Sequence, residues 1–173
     1  IGERLFMNNC AQCHGSDARG GKSFHNLTDG DGLYGGSPET IRETLHQGRM
    51  GMMPPMGDAV GSAENVRNLA HYVMSLSNSP HDSLRANLGK EHFAACAACH
   101  GPDGKGNQAL GAPNLTDDIW LHGWGEAAIT TMINQGKTNQ MPAQAGKLTE
   151  AQLGVLTAYV WGLSNKPGAA AKR

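Results

Sequence analysis

Cys10-Ala-Gln-Cys13-His14 and Cys96-Ala-Ala-Cys99-His100 decide how this 173-residue chain is read. Between them they hold all four cysteines, and each pair is followed at once by a histidine. Two thiols three residues apart on a helical turn are placed to form thioethers with the vinyl groups of one haem. The adjacent histidine is then placed to ligate its iron. The competing chemistries fit less well. A four-cysteine zinc site needs both pairs to converge and leaves both histidines without a task. A thioredoxin-like dithiol needs a βαβ setting, and no convincing strand is legible here. The pattern therefore predicts two haem c groups, bound covalently by Cys10 and Cys13 and by Cys96 and Cys99. His14 and His100 are the expected proximal iron ligands.

Working outward from the two motifs, the same features recur in the same order, the mark of an internal repeat. Asn26-Leu27-Thr28-Asp29 matches Asn114-Leu115-Thr116-Asp117. Gln47-Gly48-Arg49 with Met53-Pro54 matches Gln135-Gly136-Lys137 with Met141-Pro142, and Leu69 to Val73 matches Leu156 to Val160. Each repeat reads as helix, attachment site, glycine-rich loop, helix, methionine loop, helix. The opening helices are predicted over 2–13 and 86–99, and each carries a glycine with an aromatic four residues on, Gly2/Phe6 and Gly89/Phe93. A mid-helix glycine is unfavourable by up to about 1 kcal/mol, so it marks the close approach of another helix. The expected neighbours are Tyr72 for Gly2/Phe6 and Tyr159 for Gly89/Phe93, within each repeat. Ile41/Leu45 and Ile129/Ile133 mark middle helices. Val66, Leu69, Val73 and Leu76 share one face of the first closing helix, and Leu153, Leu156, Val160 and Leu163 one face of the second. Thr149 with Gln152 forms a capping-box pattern. The expected division is 1–79 as one domain, 80–85 as a polar linker around Pro80, 86–165 as a second domain and 166–173 as a tail.

Composition agrees with small cofactor-stapled domains. Aromatics make up 5% of the residues and glycine numbers 24, too little apolar bulk for two repeats of this size to fold on side chains alone. A net charge of −1 gives no reason to expect nucleic acid or a general attraction to anionic membranes. No stretch reaches the ~18 apolar residues of a membrane span. The chain opens directly on a helical pattern and is taken as a fragment with its N-terminal portion missing.

The sixth iron ligands are expected to be Met53 and Met141, since a thioether on ferrous iron raises the potential relative to two histidines. Met141 has one rival, Met132, which lies in an apolar helical run. Met53 is chosen by the repeat from among Met50, Met52, Met53 and Met56, with Met52 and Met56 as alternatives and a methionine-rich copper(I) site as a further one. A proximal histidine needs its second ring nitrogen held. The Pro113 carbonyl is placed to hold His100, and His25 takes the matching position for His14. Tyr34, Trp120 and His122 are candidate pocket residues, with His122 a possible partner of a haem propionate. Trp124 and Trp161 read as pocket packing, and His46, His71, His81 and His92 as exposed.

Beyond the attachment motifs, Gly15 to Gly21, Asn26 to Asp29 through Leu33-Tyr34-Gly35-Gly36, Gly48 to Met56 and Asn114 to Leu121 closely resemble the dihaem subunit of cbb3-type cytochrome c oxidases over essentially the whole chain. The resemblance implies an all-α fold of two tandem class I cytochrome c domains, each a few helices around one haem. It implies a periplasmic dihaem portion held at the inner membrane only by an N-terminal anchor. It also implies passage of single electrons from a donor c-type cytochrome to the oxygen-reducing catalytic subunit, alongside a monohaem subunit. With both axial positions filled, the chain itself is not expected to be an enzyme. Gly32 stands where that family usually has an aromatic, His122 where it has tyrosine and Trp124 where it has glycine. The competing functions are a free dihaem carrier of the cytochrome c4 type, a dihaem peroxidase and a gas-sensing module.

Overall fold

The computed structural model describes residues 1–165; the expected tail, 166–173, lies outside them. The chain is mostly helical. The opening helix of the first repeat is broken at Cys10 into α1 (Gly2–Asn9) and α2 (Ala11–His14). α3 (Pro38–Gln47) begins at a Ser37 cap that accepts from the Thr40 N–H, with Pro38 preset for the first turn. Then come β1 (Arg49–Met53), the short α4 (Gly57–Val60) and α5 (Ala63–Leu76). The second repeat opens with α6 (Ser83–Gly89), capped by the Asp82 carboxylate, a 3-10 turn at Lys90–Phe93 and α7 (Ala94–His100). It continues with α8 (Glu126–Gln135), β2 (Lys137–Met141) and α9 (Glu150–Asn165). The Thr149 and Gln152 side chains bond reciprocally to each other's backbone N–H at the start of α9, the expected capping box.

Two expectations need correction. The fold is not purely α, because β1 and β2 pair into a two-stranded sheet. Gly48 lies against Met141 and Gly136 against Met53, so the strands run antiparallel. Nor does the chain divide at residues 79 to 86. Ile1–Met50 groups with Gln140–Arg173 as unit 1, and Gly51–Asn139 forms unit 2. Each unit therefore combines the opening and middle helices of one repeat with the methionine loop and closing helix of the other.

Packing within the units explains this exchange. In unit 1, Phe6 of α1 and Leu45 of α3 are buried with Leu153 and Leu156 of α9. The Phe6 and Tyr159 rings lie 5.6 Å apart at 46°. A Cβ at Gly2 would fall 2.7 Å from the Tyr159 Cβ. In unit 2, Val66, Leu69, Ala70, Val73 and Met74 of α5 are buried with Phe93, Ile129 and Ile133. Tyr72 and Phe93 meet edge to face at 5.3 Å. The glycine–aromatic pairs thus meet a tyrosine as expected, but the tyrosine of the other repeat. The two interfaces are near copies, so periodicity alone gives no basis for choosing between the two pairings.

The opening of the second repeat packs tightly on α5. A Cβ at Gly89 would lie 2.7 Å from the Leu69 backbone nitrogen and press on the Asn68 carbonyl, so α6 sits directly on the α5 backbone. Neither atom can rotate away. Gly89→Ala is expected to destabilise unit 2 by about 1–3 kcal/mol, the usual cost of forcing atoms into a packed contact. Denaturant unfolding followed by circular dichroism measures this directly.

Candidate haem-binding sites

Each attachment motif ends a helix at a glycine in the left-handed region, Gly15 after α2 and Gly101 after α7. That turn sends the chain into a loop which folds back beneath the histidine. Gly20 N–H donates to the His14 carbonyl at 2.7 Å, and Gly106 N–H to the His100 carbonyl at 2.8 Å. The returning loop segment then supplies a carbonyl to each ring. His14 Nδ1 lies 2.9 Å from the His25 carbonyl oxygen, and His100 Nδ1 lies 3.0 Å from that of Pro113. Nδ1–H donates in both pairs, which fixes the tautomer and leaves Nε2 as the nitrogen able to take a metal. Having His25 in place of proline does not cost the first site this bond.

None of the four cysteines is in a disulfide; Cys13 and Cys99 are exposed and Cys10 and Cys96 partly covered. Burial, and secondarily the neighbouring thiol, raise the pKa of both Cys10 and Cys96. Cys10, Ala11, Leu27, Ile41 and Met141 each pack against the unit 1 core. Cys96, Ala97, Leu115, Met56 and Trp120 each pack against the unit 2 core. Each motif therefore borders an apolar region. Among the described residues no three His, Cys, Asp or Glu side chains gather to hold a metal ion.

The methionines separate cleanly. Gly48 and Gly136, both at positive φ, end the two middle helices and lie under the methionine loops. A Cβ on Gly48 would meet the Met141 carbonyl and Ala143 nitrogen, and one on Gly136 the Met53 carbonyl and the Pro54–Pro55 peptide. Met53 and Met141 thus occupy equivalent places, and both are partly buried. Met141 belongs to the unit that carries Cys10 and His14, and Met53 to the unit that carries Cys96 and His100. Met50 and Met52 are 72% and 73% exposed on β1. Met56 packs on the unit 2 core and caps α4.

The remaining candidates fall on either side of the core boundary. In unit 1 the Arg49 guanidinium stacks over the Tyr34 ring at 4.8 Å. In unit 2 Trp120 packs on the core, and Trp124 and Trp161 are 47% and 42% exposed. Asn139 Nδ2 donates to His122 Nε2 at 3.0 Å. His71, expected to be exposed, is buried: the Asp82 N–H donates to its Nδ1 at 3.0 Å, and its Nε2 lies 2.8 Å from the Glu126 carboxylate. Its helical period places it on the α5 face turned towards α8, a signal overlooked because histidine is polar.

Each unit contains a cysteine pair, a histidine tethered to a backbone carbonyl and a partly buried methionine. A family model described as cytochrome c oxidase, cbb3-type, subunit III matches residues 1–73 and 85–160. The chain belongs to that family. It is 60% identical, over 99% of its length, to a protein from Rubrivivax gelatinosus named cbb3-type cytochrome c oxidase subunit CcoP. It is 42% identical over 94% of its length to the subunit FixP of Sinorhizobium medicae, and 39% identical over 94% to the CcoP of Cereibacter sphaeroides. The chain spans 57%, 59% and 60% of those three proteins. Among the described residues no helix is long and apolar enough to cross a membrane.

Proposed function

We propose that the chain is a dihaem electron-transfer module of a cbb3-type terminal oxidase. One haem is held by Cys10, Cys13, His14 and Met141, and the other by Cys96, Cys99, His100 and Met53. The observation that carries this reading is the repeated cradle, in which an imidazole tied to a backbone carbonyl shares a unit with a partly buried methionine. This pairing exchanges the sixth ligands between the repeats, whereas sequence order alone pairs Met53 with His14. The haem supplies the one-electron couple; the residues set its potential and exclude other chemistry. A soft thioether from Met53 or Met141 would favour ferrous iron. The tethered imidazoles hold the ring orientation through the redox change, so little reorganisation accompanies each transfer.

His14 with Met141 and His100 with Met53 would leave no iron position open to substrate, so the module would carry electrons without being the catalyst. Bound haems would supply the one-electron couple by which the module carries electrons from a donor c-type cytochrome to the catalytic subunit of the complex, beside its monohaem subunit. The setting is the periplasmic face of the bacterial inner membrane. The test is a redox titration of the haem-loaded chain with carbon monoxide and cyanide as probes. Two one-electron waves are expected, with no prompt binding of carbon monoxide when reduced or of cyanide when oxidised. Fast binding of either ligand at one haem refutes the fully ligated module and returns the peroxidase or sensor reading.

A further inference from the structure

The two methionine loops match residue for residue, Met53-Pro54-Pro55-Met56 against Met141-Pro142-Ala143-Gln144. Their backbones lie alike on the middle helices. The Met56 N–H donates to the Ile133 carbonyl at 2.7 Å, and the Gln144 N–H to the Leu45 carbonyl at 2.8 Å. Each acceptor stands three residues before the glycine that ends its helix. A Cβ on that glycine would fall 2.8 Å from the Pro55 nitrogen in unit 2 and 2.7 Å from the Ala143 nitrogen in unit 1. The same backbone path is therefore held in both units, but by different side chains.

In unit 2 the loop is stiffened covalently. Pro54 and Pro55 have φ fixed by their rings, and Met56 packs on the core. In unit 1 Ala143 stands in place of the second proline, which frees one backbone torsion. Across that residue the Gln144 side chain folds back, its Nε2 donating to the Pro142 carbonyl at 2.9 Å. Glutamine is mostly an exposed residue, yet Gln144 is only 7% exposed. Its own backbone carbonyl accepts from the Lys147 and Leu148 N–H groups at 2.9 and 3.0 Å. The residue is thus tied along its whole length, at the entropic cost of ordering a long side chain.

We propose that Gln144 is a positioning residue for Met141: its side-chain amide holds the Pro142 carbonyl and does for the unit 1 loop what the Pro55 ring does for the unit 2 loop. The proposal rests on the reading above, in which Met141 is a sixth iron ligand, and adds the residue that keeps its thioether in place. An added ligand such as cyanide takes the methionine's position on ferric iron only while the loop is open. Its rate of capture therefore reports how firmly the loop is held.

The experiment uses the full chain with both haems attached, carrying Met53→Leu so that the far-red methionine–ferric iron absorption left is that of Met141. The oxidised protein is mixed with cyanide and the decay of this absorption is timed. Adding Gln144→Leu, which keeps the bulk and removes the amide, is expected to speed the decay about two- to tenfold, the factor equivalent to one neutral side-chain hydrogen bond. Adding Ala143→Pro as well is expected to restore the slower rate, since Pro55 already occupies this backbone position in unit 2. An unchanged rate in Gln144→Leu overturns the proposal. So does a faster rate that Ala143→Pro fails to restore, because loosened packing would not respond to a proline. Should Gln144→Leu take up no haem at Cys10 and Cys13, mass spectrometry of the Gln144→Leu/Ala143→Pro chain decides. Attachment restored supports the proposal, and attachment still missing overturns it. A Met53→Leu chain with covalent haem but no far-red absorption overturns the ligand reading itself, and this assignment with it.

Discussion

Replacing Met141 with leucine is expected to abolish the far-red methionine–ferric iron absorption of the haem attached at Cys10 and Cys13. The haem at Cys96 and Cys99 keeps its own. Single-haem backgrounds make the assignment direct. In a chain whose second attachment site is disabled by Cys96→Ala and Cys99→Ala, Met141→Leu removes the signal and Met53→Leu leaves it. In the converse background, with Cys10→Ala and Cys13→Ala, the two substitutions exchange roles. The potential of the affected haem falls, since the ligand that favours ferrous iron is gone, and its reduced form acquires carbon monoxide binding. The physical basis is placement: Met141, like Cys10 and Ala11, packs against the unit 1 core, and Met53 lies in unit 2 with Cys96. Loss of the first haem's signal in Met53→Leu would restore ligation within each repeat and refute the exchange.

Much of the local architecture was legible in the sequence. The closing helices bury the faces their spacing marked, with Val66, Leu69, Leu153 and Leu156 at the centre. The Thr149 cap, the middle helices and the carbonyl tethers of His14 and His100 sit where sequence places them. These are short-range features, each fixed by residues close in sequence. The short sheet was missed because Arg49-Met-Gly-Met-Met53 and Lys137-Thr-Asn-Gln-Met141 show little of the β-branched alternation that marks a half-buried strand. The partner of each aromatic–glycine pair was missed for a deeper reason. A repeat supplies two nearly equal solutions to every interface, and hydrophobic pattern does not distinguish them.

What does distinguish them is charge at the ends of the helices. In unit 2, Arg67 Nε of α5 lies 3.3 Å from the Glu126 carboxylate of α8, and His71 Nε2 2.8 Å from it. In unit 1, Glu150 of α9 lies 3.1 Å from Arg42 of α3 and 3.3 Å from His46 Nε2, the latter without hydrogen-bond geometry. Exchanging the closing helices breaks every one of these pairs. Matching Gln47 to Gln135 puts Pro38 where α8 has Glu126, and puts Thr130 and Asn134 where α3 has Arg42 and His46. An exposed ion pair is worth about 0–1 kcal/mol, little against the whole stability. Between two arrangements equal in apolar burial, however, about 1.4 kcal/mol is a tenfold preference. The buried His71 adds a further cost, since its partners Glu126 and the Asp82 N–H both lie in unit 2.

That reasoning predicts a sharp asymmetry between fragments. Residues 51–139, expressed alone through a haem-attachment system, are expected to fold cooperatively and carry one haem with a methionine–iron signal. This span contains Met53, the α5 core with Phe93 and Ile133, and both partners of every Glu126 contact. Residues 1–79, the domain that sequence order suggests, lack Leu153, Leu156, Tyr159 and Met141. They also leave His71 and Arg67 without Glu126. Filling the place of α9 with α5 would keep the aromatic contact but bury the His71 ring beside Pro38 with no carboxylate to meet it, a penalty of about 1–3 kcal/mol for the unsatisfied group. In a piece this small, whose total stability is only several kcal/mol, that loss and the missing ion pairs are enough to prevent a cooperative transition. Thermal melts by circular dichroism, covalent-haem mass and the far-red absorption read the outcome together. Equal stability and ligation in the two fragments would mean that the charge pattern does not select the exchanged pairing.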